Sequence, residues 1–564
     1  MQNSSDQTMT SSPQPPSRKT SAPAVGSYDA VVIGTGFAGL YMLLRLRKLG
    51  LKALAYEAGD GVGGTWYWNR YPGARCDVES MQYSYSFSEE LQQEWVWSER
   101  YPRQDEIIRY INHVADRFDL RGMIQLNTRV TSAVYDEAAA RWQVGTDKGD
   151  SVSARFVISA AGCLSAARVP QIPGLESFKG QWYHTGNWPK QDVNFTGKRV
   201  AVIGTGSSGI QIAPVIAGQA AHLTVFQRTP SYSIPAWNRP LPVEEQNAWK
   251  ANYAEHRRVA RASRSAILYD YSQRSALAVN DEERQSEYDR RWARGGNNFT
   301  HSFNDLLTNR EANETASEYV RNKIRGIVKD PRTAALLAPS DHGLGTKRVC
   351  VDTDYYATYN LPHVSLVDLR ATPITEIVPE GIRTTDALHP LDSIVFATGY
   401  DAVTGSLDRI DIRGRGGLAL KAKWADGPRT YMGLMTNGFP NLFLITGPQS
   451  PSILTNVIMA VEQHADFIAR MLGHMQDKGI AVAEADGRAE DEWVVHTNEV
   501  AAKTLFPSAN SWYMGANIPG KPRVFLPYIG GFGNYTNICE EVISAGYRGF
   551  QLGGSVRATP ASAH

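Results

Sequence analysis

The stretch that decides the fold is "SYDAVVIGTGFAGLYMLLRLRKLG", residues 27–50. Residues 30–33 form a short apolar run typical of a buried strand, and an apolar helical pattern follows it. Between them, Gly34, Gly36 and Gly39 have the GxGxxG spacing. These glycines permit a tight turn, close backbone approach to a pyrophosphate and close packing of helix on strand. The stretch therefore predicts a βαβ unit that binds a dinucleotide.

The second strand of this unit indicates which dinucleotide it suits. The run "KALAYEA", residues 52–58, ends at Glu57, which lies 23 residues after Gly34. A carboxylate at this distance accepts hydrogen bonds from the hydroxyls of a ribose. The first unit therefore suits a dinucleotide whose ribose carries no phosphate, such as FAD.

The same device recurs at "KRVAVIGTGSSGIQIAPVIA", with Gly204, Gly206 and Gly209 in the same spacing. Its second strand, "HLTVFQRTP", has Gln227 and Arg228 where the first unit has its acid. A carboxylate there would repel a 2′-phosphate, whereas arginine binds one through a charge-assisted fork. The second unit therefore suits NADPH.

Two further apolar runs are consistent with this arrangement. "ISAAG", residues 158–162, and "IVFATGY", residues 394–400, each end in small residues and glycine. Such ends allow close backbone approach at the rim of a sheet, and they are candidate crossings between two nucleotide domains. Each run is also compatible with an ordinary buried strand.

The bulk composition excludes several classes of protein. A chain of 564 residues predicts two to four domains. Lys plus Arg number 58 against 57 for Asp plus Glu, which favours neither nucleic acid nor an anionic membrane as partner. The four cysteines have no disulfide, metal or dithiol spacing. Without an apolar run of about 18 residues, we expect a cytoplasmic protein with no membrane span.

Two longer motifs resemble a known family, the type I Baeyer–Villiger monooxygenases. "FKGQWYHTGNWP", residues 178–189, matches the family pattern FxGxxxHxxxWP, and "GGTWYWNRYPGARCD", residues 63–77, matches a second family pattern. The likeness extends from about residue 28 to 550 and is greatest to the phenylacetone and steroid monooxygenase branch. Other flavin-containing N- and S-oxygenases usually lack the Trp-Pro ending.

The resemblance implies an α/β fold with two Rossmann-like domains, for FAD and NADP, and a helical insert in the NADP domain. It places the FAD domain at 27–151 and 398–564 and the NADP domain at 163–219 and 346–391. The insert would occupy 235–343, where charged amphipathic runs indicate solvent-facing helices. Residues 1–26 are rich in Ser, Pro and Gln and are predicted to be a disordered tail.

The resemblance also implies an activity. The family uses NADPH and O₂ to convert ketones to esters or lactones through a flavin C4a-peroxide. In the matching "GTKR" loop, Arg348 would support the reacting oxygen, Asp77 would orient Arg348, and Lys347 would bind the 2′-phosphate. Arginine suits that task because it stays charged in a partly dry site. Aryl, cyclic and steroid-like ketones are the expected substrates.

Further cofactor contacts are implied by position in the family motifs. For FAD the matching residues, besides the glycines, are Gly64, Thr65, Trp66, Tyr67, Asp77, Tyr83, Val130 and Val457. For NADP or the loop beside it they are Arg75, Cys76, Thr205, Ser207, Ser208, Gln211, Thr229 and Trp512. His184 is compatible with a chemical or a structural role, and Cys163 stands where phenylacetone-type relatives have a polar amide.

Of three alternatives, two remain open at the level of sequence. The same flavin chemistry serves S- or N-oxygenation, although the Trp-Pro ending and the Lys347–Arg348 pair favour ketones. A disulfide reductase would need a cysteine pair that is absent. A non-catalytic redox sensor that binds FAD and NADP is the third. No metal site is expected, and the protein is predicted to be a monomer or a weak homo-oligomer.

Overall fold

The structure is a computed structural model in which residues 26–555 are described. Within them it has twenty strands. These are β1 Ser27–Ile33, β2 Ala53–Tyr56, β3 Ile124–Gln125, β4 Val130–Asp136, β5 Arg141–Thr146, β6 Ser151–Ser159, β7 Gln181–His184, β8 Arg199–Ile203, β9 His222–Gln227, β10 Ser233–Pro235, β11 Cys350–Asp352, β12 Val364–Asp368, β13 Ile374–Val378, β14 Gly381–Thr384, β15 Leu388–Pro390, β16 Ser393–Phe396, β17 Asp411–Arg413, β18 Leu442–Leu444, β19 Ile480–Ala485 and β20 Phe550–Ser555.

The same residues contain fifteen α-helices. These are α1 Phe37–Lys48, α2 Thr65–Trp68, α3 Glu89–Glu94, α4 Gln104–Arg117, α5 Ser207–Ala217, α6 Val243–Lys250, α7 Tyr253–Ala262, α8 Asp281–Arg294, α9 Arg310–Ile327, α10 Pro331–Leu337, α11 Tyr355–Thr358, α12 Leu420–Lys423, α13 Val457–Lys478, α14 Gly487–Ala502 and α15 Phe532–Ser544.

The first glycine motif lies on an eight-stranded sheet in the order β17-β4-β5-β6-β1-β2-β3, with β18 also paired to β6. Strand β1 lies between β6 and β2 and is parallel to both. All four residues of β2 are buried, as are the last four of β1, because one face packs on a core with α1 and α13 and the other on an apolar cluster with β4 and β5. Helix α13 packs on α1 and completes this core.

The second glycine motif lies on a separate five-stranded sheet in the order β12-β9-β8-β16-β7. All of its pairings are parallel. Each glycine motif thus follows the strand of its sheet and opens a helix, α1 or α5. The predicted fold class, an α/β protein with two dinucleotide-binding sheets, is confirmed.

The second sheet is larger than the predicted NADP ranges, 163–219 and 346–391. Strands β9 and β16 lie beyond the ends of those ranges, yet both pair with β8 in the middle of the sheet. The ranges, which the resemblance implied, left out the strands that follow them. Domain boundaries therefore stay a prediction, with 220–227 and 393–396 belonging to the second sheet.

The segment expected to be a helical insert contains helices α6 to α10. The expectation that its charges face solvent is wrong for several of them, because Arg257 and Arg291 are buried. Arg257 donates to the carbonyl oxygens of Gln82 and Ser84, and Arg291 pairs with Glu287. These bonds satisfy charges that amphipathic periodicity alone assigned to the surface.

No helix among residues 26–555 is long and apolar enough to cross a membrane.

Candidate active site

The turn after β1 brings backbone close to where a pyrophosphate would lie. Gly34 has φ +98°, and a Cβ at this residue would lie 2.7 Å from the carbonyl oxygen of Ala160. A Cβ at Gly39 would lie 1.9 Å from the carbonyl oxygen of Gly34, so α1 packs directly on the turn. Gly36 and Gly64 also lie close together, since a Cβ on Gly36 would be 3.3 Å from Cα of Gly64. The cradle has no room for side chains.

Glu57 is fixed at the carboxyl end of β2. It is 4% exposed and accepts hydrogen bonds from the backbone N–H of Thr35 (2.9 Å), its hydroxyl (3.0 Å) and the N–H of Gly59 (2.9 Å). Burial raises the pKa of this carboxyl, and the three donors oppose that shift. A carboxylate has about four acceptor sites, so one remains for a ribose hydroxyl.

These residues open onto one cleft of about 910 Å³, the upper part of the usual range of about 300–1,000 Å³ for ligand pockets. Trp66 closes one side and donates from Nε1 to the hydroxyl of Tyr83 over 3.0 Å. The predicted FAD residues that line this cleft are Gly34, Gly36, Glu57, Gly64, Thr65, Trp66, Tyr67, Tyr83, Val130 and Val457. The chain therefore brings most of the predicted FAD contacts together.

The second cradle has the same backbone geometry with an open front. Gly204 has φ +111°, and a Cβ there would lie 2.4 Å from the carbonyl oxygen of Ala397. A Cβ on Gly206 would meet nothing within 4 Å. Thr205 donates from Oγ1 to the carbonyl oxygen of Thr229 over 2.8 Å, which ties the glycine loop to the end of β9.

At the far end of this cradle, Gln227 does not face the ribose position. Its side chain is 2% exposed and donates to the carbonyl oxygen of Leu336 over 2.7 Å. Arg228, the next residue, is exposed. Burial is the largest cause that lowers the pKa of Lys347. The positive charges of Arg370 and Arg228 lower it further, which indicates that Lys347 lies near both. Adjacent positions of an extended strand thus separate the buried amide from the exposed guanidinium.

Sequence reasoning missed two residues of this cationic group. Arg370 lies just beyond β12, donates to Oγ1 of Thr229 at 3.4 Å and pairs with Asp341 at 2.5 Å. Asp341 is also 4.0 Å from Nζ of Lys347. Neither residue lies in a family motif quoted above, so only the packing of β12 beside β9 reveals them.

The pair predicted to be catalytic is assembled from distant parts of the chain. Arg348 donates from Nη2 (2.5 Å) and Nε (3.1 Å) to one carboxylate oxygen of Asp77, and from Nη1 to the carbonyl oxygen of Ile453 (3.1 Å). The negative charge of Asp77 raises the pKa of Arg348 further above its usual value. Arg348 lines a second cavity, and 31% of its side chain is accessible there.

The loop that carries Asp77 also joins the two nucleotide-binding units. Gln211, on α5, donates to the carbonyl oxygen of Arg75 (3.0 Å) and accepts from the hydroxyl of Tyr71 (2.7 Å). The guanidinium of Arg75 pairs with Glu99, and Cys76 is buried, so neither side chain lines a described cavity. The cofactor contacts predicted for Arg75, Cys76 and Gln211 stay a prediction.

His184 has both ring nitrogens engaged. Nδ1 accepts from the N–H of Gly186 (3.0 Å), and Nε2 lies 3.1 Å from the carbonyl oxygen of Arg168 and 3.3 Å from Oγ1 of Thr398. Burial lowers the pKa of this imidazole, which is therefore neutral with Nε2 protonated. This geometry suits a residue that holds the linker between the two sheets.

Three more positions lie in or beside the two cavities. Tyr513 is buried beside Arg348, whose charge opposes the burial that raises the pKa of Tyr513. Its neighbour Trp512 is half-buried and lies 4.4 Å from the ring of Tyr513. Cys163 lines the first cleft, and burial raises the pKa of its thiol to about 11. The family motifs indicated Trp512, whereas its neighbour Tyr513 was not predicted.

Two glycine cradles on separate sheets, one with a buried acid and one with exposed cations, define the class. The chain is an oxidoreductase that binds a flavin and a nicotinamide dinucleotide. The partly accessible guanidinium of Arg348, at the wall of the second cavity, is suited to hold negative charge on an oxygen.

Comparisons with known proteins agree with this class. Residues 28–242 match the flavin-binding monooxygenase-like family. A solved structure of oxidized steroid monooxygenase bound to NADP is 53% identical, with a TM-score of 0.90 over 93% of this chain and 99% of that one. Phenazine N-monooxygenase from Lysobacter antibioticus is 44% identical over 93% of this chain and 97% of its own length. A Baeyer–Villiger monooxygenase from Pseudooceanicola batsensis is 42% identical over 92% and 95%.

The chain belongs to the Baeyer–Villiger monooxygenase family. It is an FAD-dependent enzyme that uses NADPH for ketone monooxygenation, as the motifs predicted. The alternative of a non-catalytic sensor is thereby set aside.

Proposed function

We propose that this enzyme converts aryl, cyclic or steroid-like ketones to esters or lactones, with Arg348 as its catalytic residue. The observation that carries this proposal is the Arg348–Asp77 pair at the wall of the second cavity. It brings a permanently charged, accessible guanidinium to the wall of a largely apolar cavity.

When bound, FAD accepts a hydride from NADPH and activates dioxygen. The residues of this chain would supply binding, orientation and charge. Arg348 would stabilise negative charge on the reacting oxygens, because it stays protonated and cannot itself act as an acid there. The adjacent apolar wall would limit access of water, which strengthens this interaction.

Asp77 would act as a positioning residue. Both of its bonds to Arg348 come from Nε and Nη2, which fixes the plane of the guanidinium. Nη1 donates to the carbonyl oxygen of Ile453, which lines the same cavity. Arg348 is thus held from two sides while part of its surface remains accessible.

The second cavity is the candidate ketone site. It has a volume of about 130 Å³ and opens to solvent. A cavity of about 150 Å³ binds benzene, so the enclosed part takes one ring or a short chain. Its apolar lining comes mainly from Ile453, Leu454, Phe506, Tyr528 and Ile529. A larger ketone would extend towards the opening.

N-oxygenation is the second candidate function. The similarity to phenazine N-monooxygenase at 44% identity favours it independently of the ketone motifs. Such a reaction places a basic nitrogen at the same cavity, and the nitrogen does not develop the oxyanion that Arg348 is arranged to hold. This difference makes the Arg348 variant diagnostic of the two reactions.

Finer features remain part of the proposal. The four free cysteines fit a reducing cytoplasm, and we infer a monomer or a weak homo-oligomer. The near-balance of charge favours small-molecule partners over nucleic acid.

The test compares wild type with Arg348→Ala, Arg348→Lys and Asp77→Ala while following NADPH loss, ester and hydrogen peroxide together. Loss of a preorganised donor costs about 100- to 1,000-fold, so Arg348→Ala should make almost no ester yet retain FAD and measurable NADPH oxidation with peroxide release. Asp77→Ala should lose about 100-fold through misalignment. Normal ester yield from Arg348→Ala would overturn the assigned role.

A further inference from the structure

A second arginine, Arg264, lines the candidate ketone cavity on the side of the helical insert. It follows α7 in a loop whose backbone is anchored to α15. The N–H of Phe532 donates to the carbonyl oxygen of Arg264 (2.8 Å), and the N–H of Gly533 donates to that of Ser263 (3.1 Å). The side chain therefore starts from a fixed point at the cavity wall.

The guanidinium of Arg264 lacks the acidic partner that Arg348 and Arg291 each have. Arg348 pairs with Asp77, and Arg291 pairs with Glu287. Within residues 26–555, Arg264 forms no ion pair and no side-chain hydrogen bond, and it is exposed to the cavity. The surrounding protein lowers its pKa, and nearby Tyr271 opposes that shift. An accessible guanidinium that no acid of the protein neutralises can form a charge-assisted fork with an anion from outside.

The neighbours of Arg264 leave its charge uncompensated. His301 lines the same cavity between the rings of Tyr269 and Tyr271, each 4.7 Å away. Burial lowers the pKa of His301 to about 3, with a further contribution from Arg264, so this imidazole is neutral. No carboxylate is among the described residues that line the cavity. The electrostatic potential in the cavity is therefore positive, although Asp77, which does not line the cavity, pairs with Arg348.

We propose that Arg264 binds a carboxylate on the substrate, so that the preferred substrates are ketones with an apolar body and an anionic end remote from the carbonyl. This inference rests on the proposed function and names its substrate class. The apolar lining receives the body, Arg348 receives the carbonyl oxygen, and Arg264 receives the carboxylate through a charge-assisted fork.

The 2′-phosphate of the coenzyme is the other anion to consider. Lys347, which belongs to the cationic group near Arg228, also lines this cavity. The cluster of Arg228, Lys347 and Arg370 is the expected site of that phosphate, and Arg264 lies in a different segment of the chain. The KM for NADPH separates the two assignments, since a phosphate role raises it and a substrate role does not.

The test uses one matched pair of ketones, 4-phenylbutan-2-one and 4-(3-oxobutyl)benzoate, which differ only by the para carboxylate. Arg264→Ala should lower kcat/KM for the carboxylate ketone about tenfold to 100-fold and change the neutral ketone less than about twofold. Arg264→Lys should recover part of the loss. Arg274→Ala is the matched control, because Arg274 is exposed, has no side-chain partner and does not line the cavity.

Binding of 4-(3-oxobutyl)benzoate to the holoenzyme, measured by calorimetry without NADPH, gives a readout that needs no turnover. A selective loss of its affinity in Arg264→Ala supports the proposal. Equal losses with both ketones, unchanged binding of the carboxylate, or a raised KM for NADPH with normal ketone kinetics each overturn it. If wild type forms no ester from either ketone, ketone oxygenation fails, while the calorimetric comparison still decides the role of Arg264.

Discussion

The two glycine cradles share one backbone design and differ in everything that surrounds the ribose. In the first, Glu57 is buried and already holds three hydrogen bonds within the protein. In the second, Gln227 turns away into the helical insert, and the exposed Arg228 and Arg370 stand at the surface. The first cradle is assembled before its ligand arrives, whereas the second offers exposed cations.

This difference indicates which dinucleotide stays bound to the enzyme and which one exchanges with solution. A buried, ordered acceptor loses little conformational freedom on binding, so its ligand is held tightly. Long exposed side chains must be ordered at each encounter, and their attraction is screened by salt. The first cradle therefore suits a resident FAD, and the second suits NADPH that enters and leaves in each cycle.

The largest effect should come from the buried acid. Glu57→Ala removes the acceptor of Thr35 and Gly59 as well as the ribose contact. The purified variant should lose most of its FAD, because unpaired buried donors each cost about 1–3 kcal/mol. The ratio of flavin absorbance to protein absorbance measures this. Glu57→Gln is the control for charge and should retain more flavin; full retention by Glu57→Ala would show that the first cradle does not depend on its acid.

An intermediate effect is expected at the exposed end of the second cradle. Arg228→Ala should raise the KM for NADPH about tenfold to 100-fold, because a charge-assisted contact contributes about 1.5–3 kcal/mol. NADH, which has no 2′-phosphate, should be almost unaffected. Steady-state kinetics with both coenzymes decide this, and flavin content is the control. Equal losses with NADH and NADPH would place Arg228 elsewhere.

The smallest effect should come from Arg370. Its pair with Asp341 shares the guanidinium between an acid of the protein and the expected phosphate. Arg370→Ala should raise the KM for NADPH about threefold to tenfold, less than Arg228→Ala, since exposed charges are screened. Raising the salt concentration should shrink the difference from wild type. A loss larger than that of Arg228→Ala would reverse the ranking of the two cations.

Much of this molecule could be predicted from local sequence. GxGxxG after a strand specifies a turn of fixed geometry, so both cradles were predicted with their glycines in the right places. Glu57 and Arg228 follow from counting along the second strand of each unit, because strand and helix lengths in βαβ units vary little. The family motifs supplied Arg348 and Asp77, which the structure brings within hydrogen-bond distance.

Other features depend on contacts between distant segments, which no local pattern encodes. Periodicity assigned Arg257 and Arg291 to a solvated face, but Arg257 is buried against the first unit and Arg291 is buried within the insert itself. Arg370 joins Arg228 only because β12 pairs with β9. Arg264 reaches the cavity only because α15 anchors its loop. Local sequence was enough to predict both glycine turns and the residue types that end each second strand, since these are short-range features. Which charges are buried, paired or left facing the cavity depends on the tertiary structure, because the groups that contact them come from distant segments.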